Sequence, residues 1–272
     1  MATDTLTPAS EALGIDLGRR VIDYREDDAI LYALAVGARA DELELVFERE
    51  LAVLPTFALP HGLWACDALG ERGFFSRFNA LHGAQRFELF GALPRSGRFD
   101  LCARVGSVWD KGSAAVFEIE VECELWRATY SIFAPGCGGW GGERGPSARR
   151  SPEEPPARCL RAGTSPEQAV LYRLTGDRHL IHVDPGAACA IGQPRPILHG
   201  LCTLGFAARS LAALHGRHPC ELTALEARFT AAMLPGDQLE VRAWEPGAGG
   251  AIPFAVASAG SVVLDGGSVR FA

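Results

Sequence analysis

Alternating and helical hydrophobic patterns along the chain predict strands and helices. Residues 117–124 (FEIEVECE) alternate strictly between apolar and acidic side chains, which predicts a β-strand with one buried face. A second strand is predicted at residues 239–244, after the turn formed by residues 235–237. Between residues 197 and 214 apolar side chains recur at helical spacing and also cover the opposite face, so this helix should be buried on most sides. A buried helix followed by antiparallel strands is typical of an α+β domain.

A segment rich in glycine, proline and charge separates two halves of the chain. Residues 136–163 contain few apolar side chains. Such a segment buries little surface, so it is expected to run outside the hydrophobic cores. We therefore predict an N-terminal domain at residues 1–145, a linker at residues 146–162 and a C-terminal domain at residues 163–272.

Three short matches occur in the same order in the two halves, which indicates an internal duplication. The matching pairs are residues 31–34 (LYAL) and 171–174 (LYRL), residues 81–83 and 198–200 (both LHG), and residues 93–94 and 234–235 (both LP). Between the first two landmarks the first half has 81 − 31 = 50 residues and the second has 198 − 171 = 27. This difference predicts an insertion in the first half.

Composition and charge narrow the class of protein. Of the 272 residues, 48% are hydrophobic and 22% are charged, as in globular proteins. The formal net charge of −7 disfavours nucleic-acid binding. The eight cysteines form no CxxC pair, so free thiols and no metal site are expected. The N-terminal residues lack a signal-peptide pattern and no apolar run reaches membrane-spanning length, so a cytoplasmic location without membrane association is expected.

Residues 171–209 carry the motif that bears on function. Their sequence is LYRLTGDRHLIHVDPGAACAIGQPRPILHGLCTLGFAAR. It resembles the hydratase 2 motif of the MaoC-like, (R)-specific enoyl-CoA hydratases, Y-R-L-[ST]-G-D-x-N-P-[LIV]-H-x-D-P followed by P-I-L-H-G-L-C-T. The chain is similar in particular to the hydratase 2 module of peroxisomal multifunctional enzyme type 2. The first-half segments that share this similarity are residues 24–38, 54–57, 81–85, 110–113 and 138–144.

The resemblance implies a double hot-dog fold. In this fold two tandem hot-dog domains each consist of an antiparallel sheet wrapped round a central helix. The first domain would be non-catalytic and would accommodate the acyl chain. The second would be the catalytic MaoC-like domain, with the active site where the halves meet.

Adding water to an α,β-unsaturated thioester requires a base, an acid and a group that stabilises the developing enolate oxygen. The resemblance implies that Asp177 and His182 hold one water molecule and carry out the proton transfers. It also implies that the backbone N–H of Gly200, near the beginning of the buried helix, binds the thioester carbonyl. No metal and no redox cofactor are expected. Coenzyme A or an acyl carrier protein is expected to carry the substrate.

Several further residues have a functional and a structural interpretation. Tyr32, Glu48 and Tyr172 match positions that look important for substrate binding in relatives. The tyrosines also fit apolar helix faces, and Glu48 could be a solvated surface residue. Asp177 could cap a turn and His182 could be structural. His199 is expected to be structural.

The chain departs from the family motif at residues 179–180, where relatives have Asn-Pro and this chain has His-Leu. In relatives the asparagine helps to hold the catalytic water, and proline restricts the residue before it. His179 is therefore a candidate substrate-binding residue with an altered role. When the halves are aligned on Leu31 and Leu171, Gly37 and Glu42 stand at the positions of the catalytic pair, which predicts one active site per chain.

We therefore predict a hydro-lyase, active as a homodimer, that hydrates a trans-2-enoyl thioester to the (3R)-hydroxyacyl thioester or catalyses the reverse dehydration. One alternative is a dehydratase acting on carrier-bound substrates in a specialised polyketide or lipid pathway. Another is a catalytically silent protein that binds acyl thioesters. The change at residues 179–180 favours a protein without catalytic activity. The presence of Asp177, His182 and Gly200 favours an enzyme.

Overall fold

One continuous antiparallel sheet of ten strands forms the framework of the protein. The computed structural model describes residues 6–76 and 79–272. Along the sheet the strands lie in the order β1-β3-β4-β5-β2-β7-β10-β9-β8-β6, and each neighbouring pair is antiparallel. The strands are β1 (Asp16–Tyr24), β2 (Leu81–Leu89), β3 (Gly97–Asp110), β4 (Ala114–Glu122), β5 (Trp126–Pro135), β6 (Arg158–Gly163), β7 (Leu222–Phe229), β8 (Gln238–Ala243), β9 (Ile252–Ser258) and β10 (Ser261–Phe271).

The strand order divides the sheet into two equivalent sets of five. Strands β1–β5 form one side and β6–β10 the other, and the order from the centre outward is the same on both sides. The two sets join where β2 pairs with β7, with Ala84 opposite Arg228 and Glu88 opposite Ala224. The antiparallel sheet and the helices that accompany it confirm the α+β prediction. The equal strand order of the two sets shows the duplication directly. The strands predicted at residues 117–124 and 239–244 correspond to β4 and β8.

Among the residues that the structure describes, six α-helices and several short 3₁₀ segments accompany the sheet. The helix predicted at residues 197–214 is α6, a 15-residue helix with both of its faces buried. The first-half counterpart of α6 is the 3₁₀ segment Pro55–Gly62 followed by α3. None of the helices within the described ranges is long and apolar enough to cross a membrane. The α-helices are α1 (Glu26–Ala35), α2 (Leu43–Val46), α3 (Trp64–Glu71), α4 (Gln168–Tyr172), α5 (Pro185–Ala190) and α6 (Gly200–Leu214).

One of the three repeated landmarks does not mark equivalent positions. Residues 81–83 begin strand β2, whereas residues 198–200 lead into α6. The residue that precedes the first-half helical segment is Leu54, which is 54 − 31 = 23 residues after Leu31. The corresponding distance in the second half is 27 residues, from Leu171 to Leu198. The predicted insertion in the first half is therefore wrong, because a strand and a helix start happen to share one tripeptide.

The predicted linker also overlaps the sheet. Residues 158–163 form β6, in which Leu160 pairs with Val241 of β8. The second half therefore begins at Arg158, and the linker boundary at residue 162 is wrong. Because β6 is an edge strand whose side chains are exposed or half-buried, its sequence lacks the apolar alternation that would have revealed it.

Helix α1 of the first half packs closely against α6 of the second. A Cβ atom at Gly205 would overlap Val36, and one at Gly37 would overlap the Phe206 ring. Only residues without a side chain fit at these two crossings. The close approach places the hydroxyl group of Tyr32 against Gly205, where a Cβ atom would lie 3.0 Å from it.

Candidate active site

Asp177 lies in the loop after α4, at the junction of the two halves. The preceding Gly176 has a φ of 140°, a conformation that favours glycine. A Cβ atom at Gly176 would lie 3.4 Å from Cβ of Pro60, so the loop rests on the first half. The Oδ1 atom of Asp177 accepts a hydrogen bond of 3.1 Å from the backbone N–H of His179. Within the described residues its Oδ2 atom has no hydrogen bond, which leaves this oxygen for a ligand.

His182 ends the 3₁₀ turn Leu180–His182 and is 7% exposed. Its Nδ1 atom lies 2.9 Å from the carbonyl oxygen of Ile197. A carbonyl only accepts hydrogen bonds, so Nδ1 carries the proton and Nε2 keeps a free lone pair. Burial lowers the pKa of His182, although the nearby Asp177 carboxylate opposes this shift. His182 is therefore neutral at pH 7 and can accept a proton at Nε2.

His199, which was expected to be structural, lies against Asp177 and His182. Its ring stacks on that of His182, with 3.6 Å between centroids and 23° between planes. Its Nε2 atom lies 3.2 Å from the backbone oxygen of Asp177. Burial, followed by the neighbouring His182, lowers the pKa of His199 to about 3. His199 thus anchors the Asp177 loop and supports the His182 ring, and its place next to Gly200 in the motif was the signal that could have identified it.

Asp177, His182 and His199 also form a potential metal-ligand set, with donor atoms within 4.8 Å of one another. A tetrahedral metal site needs lone pairs that converge on one point. One nitrogen of each histidine is already engaged by a backbone carbonyl, and the two rings stack on each other, so each histidine has a single nitrogen left. This geometry favours proton transfer over metal binding.

Gly200 begins α6 next to this cluster. Its backbone N–H belongs to the first helical turn, where no intrahelical acceptor is available and the helix dipole favours a negative partner. A Cβ atom at this position would lie 2.8 Å from two carbons of the Phe229 ring. Only glycine therefore fits between the helix start and this ring. Its backbone N–H group can donate a hydrogen bond to a carbonyl oxygen.

The structure brings two of the three further candidates to the site. Tyr172 is fully buried with its ring 4.8 Å from that of His199, and Tyr32 is fully buried 6.0 Å from Tyr172. Burial raises the pKa of both tyrosines. Glu48 lies instead on an exposed turn, where its backbone oxygen accepts a hydrogen bond from Arg95. In the part of the chain that the structure describes, no contact joins Glu48 to Asp177.

His179 is exposed and caps the turn that carries His182. Its Nδ1 atom accepts a hydrogen bond of 3.3 Å from the backbone N–H of Ile181. Its ring centroid lies 6.3 Å from that of His182. The imidazole therefore performs the capping role for which asparagine is also suited.

The corresponding region of the first half contains an ion pair in place of an acid–base pair. Both carboxylate oxygens of Glu42 accept hydrogen bonds of 2.6 Å from Nη2 of Arg209 on α6. Gly37 lies against Phe206. This arrangement supports one active site per chain.

Two family descriptions together match most of the chain. Residues 22–133 match the MFE-2 hydratase 2 N-terminal domain, and residues 147–253 match the MaoC like domain. Enoyl-CoA hydratase ChsH3 of Mycobacterium tuberculosis is 37% identical over 253 residues, which cover 87% of this chain and 88% of that protein. The 3-hydroxyacyl-thioester dehydratase Y of the same organism is 35% identical, covering 92% of this chain and 94% of that protein. Peroxisomal multifunctional enzyme type 2 of Mus musculus is 35% identical, and the match spans 87% of this chain but only 35% of that protein.

Solved structures with the same architecture confirm the predicted fold. Full-length peroxisomal multifunctional enzyme type 2 of Drosophila melanogaster superposes with a TM-score of 0.81 at 31% identity, over 93% of this chain and 48% of that one. A MaoC-like dehydratase of Phytophthora capsici has a TM-score of 0.88 at 24% identity over 98% of both chains, which shows the shared fold. A Mycobacterium tuberculosis protein described as a double hot-dog fold has a TM-score of 0.58 at 13% identity, over 97% of both chains.

Proposed function

The chain belongs to the MaoC-like hydratase and dehydratase family, and on this premise we propose that it hydrates trans-2-enoyl-CoA to (3R)-3-hydroxyacyl-CoA. The observation that carries the proposal is the meeting of Asp177, neutral His182 and the Gly200 N–H at one end of α6. These groups supply a carboxylate, a proton acceptor and a hydrogen-bond donor for the thioester oxygen. They are the three functions that hydration requires.

The free atoms of the site define a route for the protons. A water molecule held by Asp177 and by Nε2 of His182 gives one proton to Nε2 while its oxygen bonds to C3 of the substrate. The electron pair of the double bond moves toward the thioester oxygen, which the Gly200 N–H stabilises. The proton on Nε2 then passes to C2. One water is added in total, and Asp177 stabilises the transient imidazolium.

The same groups catalyse dehydration in reverse, because each proton transfer is reversible. Relatives of this chain carry both names, an enoyl-CoA hydratase and a 3-hydroxyacyl-thioester dehydratase. This pairing supports an acyl thioester as substrate, with coenzyme A as the proposed carrier and no redox cofactor. Homodimer assembly and a cytoplasmic location remain predictions from the sequence.

A catalytically silent binding protein is the weaker candidate. The argument for silence was the loss of the family's Asn-Pro at residues 179–180. His179 nevertheless caps the turn that carries His182, and the backbone N–H of His179 still binds Asp177. The replacement therefore preserves the geometry of the catalytic pair, which favours an active enzyme.

Hydration of crotonyl-CoA, with a longer trans-2-enoyl-CoA beside it, tests the proposal. We expect the absorbance of the conjugated thioester to decay, and chiral chromatography to identify the 3R alcohol. A 3S product would contradict the proposed geometry. The absence of turnover with both thioesters would contradict the proposed function itself.

A further inference from the structure

The first half places a histidine beside the candidate active site. His82 lies at the beginning of β2, and the pairing of β2 with β5 shifts register between His82 and Ala84. Such a bulge changes the direction of nearby side chains. The His82 ring lies 4.7 Å from the Phe229 ring, which itself covers Gly200. A residue of the half regarded as non-catalytic therefore lies one ring away from the helix start that receives the thioester.

The Nε2 atom of His82 is buried and makes no hydrogen bond within the described residues, although the Gln85 side chain, whose Oε1 atom is also unpaired, lies close enough to affect the pKa of His82. An unpaired polar atom in the interior destabilises a fold, and one that lies beside the start of α6 is available to a bound ligand. Burial lowers the pKa of His82 to about 4, while the nearby Asp177 carboxylate opposes the shift. The ring is thus neutral at pH 7 and can make a hydrogen bond without adding a charge to the site.

We infer that His82 is a further substrate-contacting residue, whose Nε2 atom forms a hydrogen bond with an oxygen at the reacting end of the bound acyl thioester. The inference rests on the proposed function and extends it. The active site is then composite, with Asp177, His182 and Gly200 from the second half and His82 from the first. A hydrogen bond at the reacting end orients the substrate and strengthens as charge develops, so its loss should reduce kcat more than it raises KM.

His61 provides a matched control within the same half. Its Nε2 atom is also buried without a described partner, and burial lowers its pKa to about 4 as well. Its ring packs against Phe57 and Tyr24 and makes no described contact with Phe229. His61→Phe therefore removes an equivalent unpaired nitrogen away from Gly200.

Steady-state kinetics of the full-length chain with crotonyl-CoA provide the test. His82→Phe keeps an aromatic ring against Phe229 but removes the nitrogen, and we expect kcat to fall roughly 10-fold or more. His82→Gln restores a hydrogen-bonding group and should recover part of the loss, whereas His61→Phe should stay within about twofold of the wild type. If His82→Phe fails to fold, as judged by circular dichroism, His82→Met replaces it, because methionine adapts to irregular apolar space.

The inference would be overturned if the wild type hydrates crotonyl-CoA and a folded His82→Phe or His82→Met variant keeps the wild-type kcat. An equal loss of kcat in His61→Phe would overturn it as well. Failure of the proposed function has a different signature, because the wild type itself would then hydrate no enoyl-CoA. In that case calorimetric titration with butyryl-CoA decides the role of His82. Weaker binding by His82→Phe than by His61→Phe would support the contact, and equal binding would overturn it.

Discussion

A histidine is a base at neutral pH when its pKa lies below the working pH and one of its ring nitrogens is free. His182 meets both conditions through contacts that are distant in sequence. The Ile197 carbonyl fixes the proton on Nδ1, and burial beneath His199 favours the neutral ring. Its chemistry is therefore a property of two segments that fold against each other.

Replacement of either member of the pair should remove most of the activity and leave the fold intact. For Asp177→Asn and for His182→Ala we expect kcat to fall about 10²–10⁴-fold. The two losses should not add in the double variant, because both groups act on one water molecule. Steady-state kinetics with crotonyl-CoA and a circular dichroism spectrum of each variant measure these effects.

Asp184→Asn is the matched control for this prediction. Asp184 is exposed, and its carboxylate caps α5 by accepting a hydrogen bond of 2.9 Å from the N–H of Gly186. Asparagine caps helices equally well, so this variant should keep its activity. Retention of more than about a tenth of kcat in Asp177→Asn or His182→Ala would contradict the assignment of the pair.

At the scale of single elements, the conformation of the 3₁₀ turn Leu180–His182 explains how the chain tolerates His-Leu at residues 179–180 in place of the family's Asn-Pro. His179, which precedes the turn, has φ −58° and ψ 137°. This is the extended conformation that a residue before proline prefers. Leu180 is 58% exposed, and no described hydrogen bond uses its backbone N–H. The turn thus keeps the backbone that a proline would impose, although proline is absent.

Leu180→Pro should therefore stabilise the protein by about 0.4–1 kcal/mol, because proline restricts the unfolded chain and suits the first position of a helical turn. The melting temperature should rise and kcat should stay within about twofold. Val183→Pro is the contrasting variant, since Val183 has a φ of −141° and donates a backbone hydrogen bond to Leu180. It should destabilise strongly. A lower melting temperature for Leu180→Pro would show that the turn is not preorganised in this way.

At the scale of the whole molecule, the junction between the halves is both a core and the proposed active site. Strands β2 and β7 join the two half-sheets, and α1 packs on α6 through glycines. Five buried or half-buried histidines from both halves have lowered pKa values, and burial is the main cause in each case. They are His61, His82, His182, His199 and His215. The same burial that keeps His182 neutral makes the fold sensitive to acid.

We predict that the free energy of unfolding decreases as the pH falls below about 6.5. In the unfolded chain these histidines bind protons below about pH 6.5, whereas in the folded chain they stay neutral to lower pH. The unfolded state therefore binds more protons, and each histidine contributes at most about 1.4 kcal/mol per pH unit within its window. For His61 and His82 this window closes near pH 4.

Urea unfolding at pH 7.5, 6 and 5 measures this effect. The midpoint should fall with pH in the wild type and should fall less steeply in His61→Phe, which lacks one of the five groups. The carboxylate of Asp110 is outside this window, because hydrogen bonds from backbone N–H groups lower its pKa to about 2. A midpoint that does not change between pH 7.5 and 5 would contradict the prediction.

The sequence by itself determined the features that short stretches of chain encode. The apolar faces of α6, the alternation in β4 and the motif around Asp177 and His182 depend on residues close together in sequence. Periodicity and motif spacing record such local constraints directly. They were sufficient to predict an α+β protein with two halves, and the resemblance of the motif to a known family implied the double hot-dog fold.

Only the tertiary structure decided what depends on contacts between distant segments. Edge strand β6 is held by backbone hydrogen bonds to β8, which leave little trace in side-chain pattern. The tripeptide Leu-His-Gly forms a strand start at residue 81 and a helix start at residue 198, because the surrounding fold overrides so short a sequence. The stacking of His199 on His182 within the second half, and the contact of His82 with Phe229 across the halves, are likewise products of packing. Burial, pKa and proximity arise only when the chain is folded, so the composition of the site could not be read from the motif alone.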